Sequence, residues 1–128
     1  MKLRITHNSI RIRIRKSELV TLSENSLIAE TVKFPMSTTV FSFALAIDSE
    51  AQDLTAQMSG SDLQISLPSK IAQDWMNTNQ VGIENDLNLS DDEKLHVLIE
   101  KDFPCLDRPN EDKSDTFWEL ASDKPENC

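Results

Sequence analysis

The sequence predicts an α+β domain built mainly on an antiparallel sheet of about six or seven strands, with two short helices packed on one face. Three features predict this class: segments in which apolar and polar residues alternate, a turn-forming stretch between two of them, and two short helical patterns. The 128 residues suit one domain, which we expect over residues 1–106. An acidic tail over residues 107–128 follows, and we expect it to dock partly on the domain.

A strictly alternating segment near the start of the chain gives the clearest strand. Three isoleucines alternate with three arginines, in the order Ile10, Arg11, Ile12, Arg13, Ile14 and Arg15. Because successive side chains of a strand point to opposite faces, the isoleucines share one face and the arginines share the other. The three arginines, here called the arginine row, are therefore the first candidate for a functional surface.

The other elements follow from similar patterns. Strand-like alternation also occurs over residues 27–34, 41–47, 54–58, 63–67 and 95–99. The turn residues at 59–62 predict a hairpin between the third and fourth of these segments. Helices are predicted from Ser17 and over residues 69–77, the second with an apolar stripe that includes Trp75. Residues 85–94 are polar and acidic and predict a surface loop, and no internal sequence repeat is visible.

The charge of the chain is unevenly distributed. The net charge is -9, yet residues 1–16 contain six cations and no acid, so the remainder carries -15. An acidic surface disfavours direct binding of nucleic acid, because phosphates are repelled. The chain has no apolar run of about 20 residues, so no membrane span is expected. Its two cysteines are too few for a disulfide scaffold, which predicts a cytoplasmic protein.

The arginine row supports two interpretations. Three guanidinium groups spaced about 7 Å apart along one strand face repel one another unless negative charge lies over them. In the first interpretation they bind an anion, such as a small anionic molecule or an acidic protein surface. In the second, acids of the same chain cover them, and the candidates are Glu30, Glu111, Asp112 and Asp115.

A polar segment after the last predicted strand is the second candidate site. It contains Asp102 and Cys105, and Lys101 and Arg108 could add positive charge there. Cys105 would act as a nucleophile if a base such as His7 or His96 lay close, although a cysteine beside Phe and Leu is more often an inert buried thiol. No spacing of Cys, His or acids indicates a metal site, and the two glycines offer no phosphate loop, so no cofactor is expected.

The sequence resembles a bacterial family of small proteins of unknown function. The strongest match is the string from Leu98 to Phe103, and weaker matches lie at residues 8–11 and 81–84. Further matching residues are Trp75, Cys105, Leu106, Arg108, Glu111, Asp112 and Asp115. The resemblance implies family membership and supplies no activity, cofactor or catalytic residue.

Three functions remain open from the sequence. The first is a non-enzymatic binding or interaction module that uses the arginine row together with Lys101 and Arg108, with the acidic tail competing for the same cations. The second is a small enzyme that uses the polar cluster of Asp102, Cys105, Glu111, Asp112 and Asp115. The third is an acidic mimic or inhibitor of another protein. An exposed edge strand could also pair two copies into a homodimer.

Overall fold

The computed structural model describes residues 1–104 and 113–121 of the chain. Within them, eight strands are β1 (Lys2–Thr6), β2 (Ser9–Ile14), β3 (Leu27–Lys33), β4 (Val40–Asp48), β5 (Thr55–Ser59), β6 (Asp62–Pro68), β7 (Gly82–Asn88) and β8 (Lys94–Lys101). Two α-helices, α1 (Lys16–Asn25) and α2 (Ser69–Met76), and a short 3-10 helix (Trp118–Leu120) complete the described elements. None of the helices in these ranges is long and apolar enough to cross a membrane.

The strands form two sheets, which confirms the α+β class but shows that the predicted single, mainly antiparallel sheet of six or seven strands is wrong. Sheet A has the strand order β1-β2-β8-β7, and sheet B has the order β3-β4-β6-β5. In each sheet two antiparallel hairpins meet at a central parallel pair, β2 with β8 and β4 with β6. Alternating polarity identifies a strand but not its neighbours, so the sequence pattern could not divide the strands between two sheets.

Local predictions were more accurate than the predicted topology. The expected hairpin is β5–β6, whose turn places Gly60 at a φ of 60°. Both predicted helices are present, and α2 buries Ala72 and Trp75. The surface loop predicted over residues 85–94 is wrong in its first part, because β7 continues to Asn88 and pairs with β8 along its whole length.

The element order β-β-α-β-β occurs twice along the chain. The first half runs β1-β2-α1-β3-β4, and the second runs β5-β6-α2-β7-β8. Each sheet takes one hairpin from each half, so that exchanging the halves converts sheet A into sheet B. The fold is therefore an internal structural duplication with exchanged hairpins, although the sequence shows no repeat.

Buried residues occupy matching positions in the two halves. Fully buried Ile12 and Ile14 of β2 correspond to fully buried Ile65 and Leu67 of β6. The helices show the same correspondence. Leu22 of α1 lies as far along the chain from Ile14 as Trp75 of α2 lies from Leu67, and Leu22 and Trp75 are both fully buried. Matching positions thus share hydrophobicity and burial rather than identity, which explains why the duplication is visible in the core and not in the sequence.

Candidate functional site

The outer faces of the two sheets differ sharply in charge. On sheet A, β1 and β2 carry four outward-facing cations, here called the basic block: Lys2, Arg4, Arg11 and Arg13. The corresponding positions of sheet B hold uncharged side chains: Thr55, Gln57, Gln64 and Ser66. Because the duplicated fold supports both sets equally well, the basic block is not a requirement of the architecture and is a candidate functional site.

The basic block consists of two like-charged pairs that face each other across the β1–β2 hairpin. Lys2 lies opposite Arg13, and Arg4 lies opposite Arg11. Directly opposed like charges destabilise a sheet unless another group neutralises them. The position of the neighbouring acids therefore decides what each pair can bind.

The carboxylate of Asp102 bridges the first pair. Its Oδ2 atom lies 3.0 Å from Nζ of Lys2, and its Oδ1 atom lies 3.7 Å from Nη1 of Arg13. Asp102 follows β8, and its backbone N–H donates to the carbonyl oxygen of Ile14 at 2.7 Å, which extends the parallel β2–β8 pairing by one residue. The side chain of Asp102 is only 4% exposed and that of Arg13 11%, whereas that of Lys2 is 54% exposed, so the bridge is buried on its Asp102 and Arg13 side.

Glu100 holds the two arginines of β2 from the other side. Its Oε1 atom accepts hydrogen bonds from Nε of Arg11 at 2.5 Å and from Nε of Arg13 at 2.7 Å. The Glu100 side chain is 8% exposed, and the Arg13 guanidinium also stacks over the Phe103 ring at 4.3 Å from its centroid. Lys2, Arg11 and Arg13 each make further interactions besides these.

Arg4 differs from the other members of the basic block. It lies on the edge strand β1 and is exposed, and none of the residues in 1–104 and 113–121 forms a hydrogen bond or ion pair with its side chain. Among the described residues, Arg4 therefore lacks the carboxylate partner that Asp102 provides for Lys2 and Arg13. An external carboxylate or phosphate at this point would complete the same arrangement.

Arg15 does not continue the arginine row, because β2 ends at Ile14 and α1 begins immediately afterwards. Its Nε donates to Oε1 of Glu18 at 3.0 Å, and this hydrogen bond raises the pKa of Arg15 further above its usual value. Burial by itself would raise the pKa of Glu18. Hydrogen bonds from the Met1 α-amino group and from Arg15, together with the positive charge of that α-amino group, lower the pKa overall. The same α-amino group lies 2.8 Å from Oε1 of Glu30, one of the four acids considered as covering the arginine row.

The opposite side of the sheet A face is acidic. On β7, Glu84 and Asp86 flank His96 of β8, with Asp86 Oδ1 2.7 Å from Nδ1 and Glu84 Oε2 3.4 Å from Nε2. The two carboxylates contact opposite nitrogens of the ring and do not converge on one point. Within the described ranges, no group of three His, Cys, Asp or Glu side chains is arranged to hold a metal ion.

Lys101 lies apart from the basic block. It is buried, and its Nζ atom donates a hydrogen bond to the carbonyl oxygen of Thr78 at 2.6 Å. Burial lowers the pKa of Lys101. The ring of Phe117, itself buried, lies 5.6 Å from Nζ of Lys101 and 5.5 Å from Nζ of Lys16.

Residues 113–121, here called the strap, fold back onto the domain. The Phe117 N–H donates to the carbonyl oxygen of Asp102 at 2.9 Å, which fixes the strap beside the end of β8. Asp115 accepts hydrogen bonds from the Ser17 N–H at 3.1 Å and from the Ser17 hydroxyl at 2.5 Å. Phe117 rather than the half-exposed Trp118 is therefore the aromatic anchor of this segment.

The structure thus separates the residues predicted from the sequence into groups. It brings Arg11, Arg13 and Asp102 together, and it places Arg15, Lys101 and Asp115 at other points near α1 and the strap. The predicted residues Cys105, Arg108, Glu111 and Asp112 lie outside the described residues. The sequence interpretation missed Glu100, since its contact with Arg11 and Arg13 depends on the β2–β8 register, and it did not include Lys2 and Arg4 in the site.

Comparison with known proteins places the chain in a family. The chain belongs to DUF7009, a family of unknown function whose model matches residues 1–120. This match confirms the predicted membership of a family of unknown function. No curated protein and no solved structure matches the chain.

Proposed function

We propose that this protein is a non-enzymatic binding module that takes an anionic group at the Arg4–Arg11 pair of the basic block. The observation that carries the proposal is the difference between the two pairs of the block. Asp102 bridges Lys2 and Arg13 with its two oxygens, whereas exposed Arg4 has no such partner within the described residues.

The chemistry of the pair favours a carboxylate or phosphate group. A guanidinium presents parallel N–H donors that match two oxygens of such a group, and neighbouring guanidiniums can share one anion. Glu100 anchors Arg11 from β8, so that the Arg11 side chain is held in place before a ligand arrives. A preorganised cation loses less conformational freedom on binding, which favours affinity.

The position at a sheet edge favours an anionic group that is presented on a surface or an extended chain. Arg4 and Lys2 lie on β1, an edge strand of sheet A among the described strands, and both residues are exposed. The negative net charge of the protein would disfavour anions elsewhere on its surface, which confines binding to this region.

The test measures binding of two anionic probes, tripolyphosphate and a hexaglutamate peptide, by isothermal titration calorimetry at low salt. We expect Arg4→Gln to weaken binding about tenfold, the effect of losing one charge-assisted contact worth about 1.4 kcal/mol. Lys70→Gln is the matched control, because it removes the same charge from an exposed position on α2. Equal affinities of the two variants, or no binding of either probe, would contradict the proposal.

A further inference from the structure

We propose that β3 is a self-association surface, through which two copies of the protein pair edge to edge and join their B sheets into one eight-stranded sheet. This inference is independent of the anion site, which lies on sheet A. Three features of β3 support such pairing: its lightly protected edge, the exposed apolar side chains beside it, and the low net charge of this part of the chain.

The β3 edge is only lightly protected, since it carries one acid and one cation, Glu30 and Lys33, and a proline follows only after the strand has ended. Natural edges are blunted by charged side chains, proline, bulges or short length. β3 is seven residues long and pairs without interruption with β4, and only Ile28 of its side chains is buried. On the outward face, the central residues Ala29 and Thr31 are uncharged and Lys33 lies at the end of the strand, whereas the matching central positions of β7 in sheet A carry Glu84 and Asp86.

Exposed apolar side chains continue along the same edge. Val32 is 42% exposed and Phe34 is 55% exposed, although both lie on the row that begins with buried Ile28. Met36, in the turn that follows, is fully exposed. A partner strand placed against β3 would cover part of Val32 and Phe34, and it would pair with the backbone groups on the side of β3 that no other strand of residues 1–104 and 113–121 occupies.

Charge favours a second copy as the occupant. The chain carries -9 overall, so two copies repel each other at most orientations. Residues 27–41 contain only Glu30 and Lys33 as charged residues, and this stretch therefore has no net charge. Two acidic molecules consequently meet little charge repulsion when they approach each other at β3.

The sequence of β3 also suits antiparallel pairing with itself. With the two-fold axis at Thr31, the two Thr31 residues face each other, Glu30 faces Val32, and Ile28 faces Phe34 of the second copy. Opposed threonines are favourable in a sheet, and both exposed phenylalanines then cover an apolar neighbour. Moving the axis by one residue would place the two Glu30 carboxylates opposite each other, which is unfavourable.

The size of the contact predicts a weak dimer. A strand pair of this length with two phenylalanine side chains buries less than the roughly 1,200 Å² at which stable interfaces begin. We therefore expect a dissociation constant of roughly 1–100 µM, corresponding to about 5.5–8 kcal/mol.

The test is sedimentation velocity of the full chain from about 1 µM to about 1 mM, a range that spans this dissociation constant. Thr31→Lys places two lysines at the axis and is expected to raise the dissociation constant at least about tenfold, or about 1.4 kcal/mol. Gln57→Lys on β5, the other edge of sheet B, is the matched control and is expected to leave it unchanged. Mixing Thr31→Lys with Thr31→Glu is expected to restore dimers by pairing opposite charges.

A measurement on the unchanged protein complements the variants, in case a substitution prevents folding. Amide hydrogen exchange of residues 29–33 is expected to slow as the concentration rises, while exchange of β5 amides stays constant. The proposal is overturned by a protein that remains monomeric up to about 1 mM. It is also overturned if Gln57→Lys weakens dimers as much as Thr31→Lys, or if β3 exchange is independent of concentration.

Discussion

The Glu100 carboxylate shows how single residues hold the basic block in place. One oxygen of Glu100 accepts hydrogen bonds from Arg11 and Arg13, and the carboxylate is nearly inaccessible to solvent. Removing one member of a buried ion pair leaves its partners without compensation, which costs more than the pair itself contributes. The arginines of β2 therefore depend on Glu100 for both position and charge balance.

Replacing Glu100 with glutamine tests this dependence. We expect Glu100→Gln to lower the free energy of unfolding by about 2 kcal/mol, because the amide keeps the size of the side chain but removes the charge that the guanidiniums need. Urea denaturation followed by circular dichroism measures the change. Glu84→Gln, on the same face but 65% exposed, is the control and should change stability by less than about 0.5 kcal/mol. Similar losses for the two variants would contradict a structural role specific to Glu100.

At the scale of elements, α1 depends on a residue from the other end of the chain. Arg15 precedes the helix and provides no side-chain acceptor at its N-terminus. Asp115 of the strap accepts the Ser17 N–H instead, although 98 residues separate the two in sequence. The strap is thereby coupled to the stability of α1, since the first turn of a helix has free N–H groups that need acceptors.

Substitution of Asp115 measures this coupling. We expect Asp115→Ala to destabilise the protein by about 1 kcal/mol, the usual cost of losing an N-terminal helix cap, and Asp115→Asn to keep most of the stability. Thermal unfolding in buffer of low ionic strength is a suitable measurement. Glu119→Gln is the control, because the 3.7 Å contact of Glu119 with Lys16 is half exposed and should contribute little. An Asn variant as unstable as the Ala variant would show that charge, not capping, is responsible.

The elements that the sequence could predict are those with local causes. The alternation at residues 10–14 identified β2, and the turn at Gly60 identified the β5–β6 hairpin. The extent of β7 was missed because Asn85 and Asp86 are poor strand formers, and non-local contacts hold them in the sheet: pairing with β8 and a hydrogen bond from the Asn85 side chain to the carbonyl oxygen of Leu54 at 3.1 Å. The contact between Glu100 and Arg13 depends on the parallel register of β2 and β8, which no local pattern encodes.

At the scale of the whole molecule, the exchanged hairpins tie the two halves together. The central pair of sheet A joins β2 from the first half with β8 from the second, and the central pair of sheet B joins β4 with β6. Neither half contains a complete sheet by itself. A hairpin of two strands is at best marginally stable in water, so we expect the halves to fold only together.

This arrangement predicts a single cooperative unfolding transition that a core substitution in either half shifts as a whole. Ile12→Ala and Ile65→Ala change matching, fully buried positions, and each is expected to cost about 3 kcal/mol. In a Trp118→Phe background, Trp75 is the only tryptophan and reports on the second half. Urea unfolding is followed by Trp75 fluorescence and by far-ultraviolet circular dichroism. In each variant the two probes should report the same midpoint, because each sheet contains strands from both halves. If Ile12→Ala shifted the circular dichroism midpoint and left the Trp75 midpoint unchanged, the halves would unfold separately, and the exchanged hairpins would not couple them.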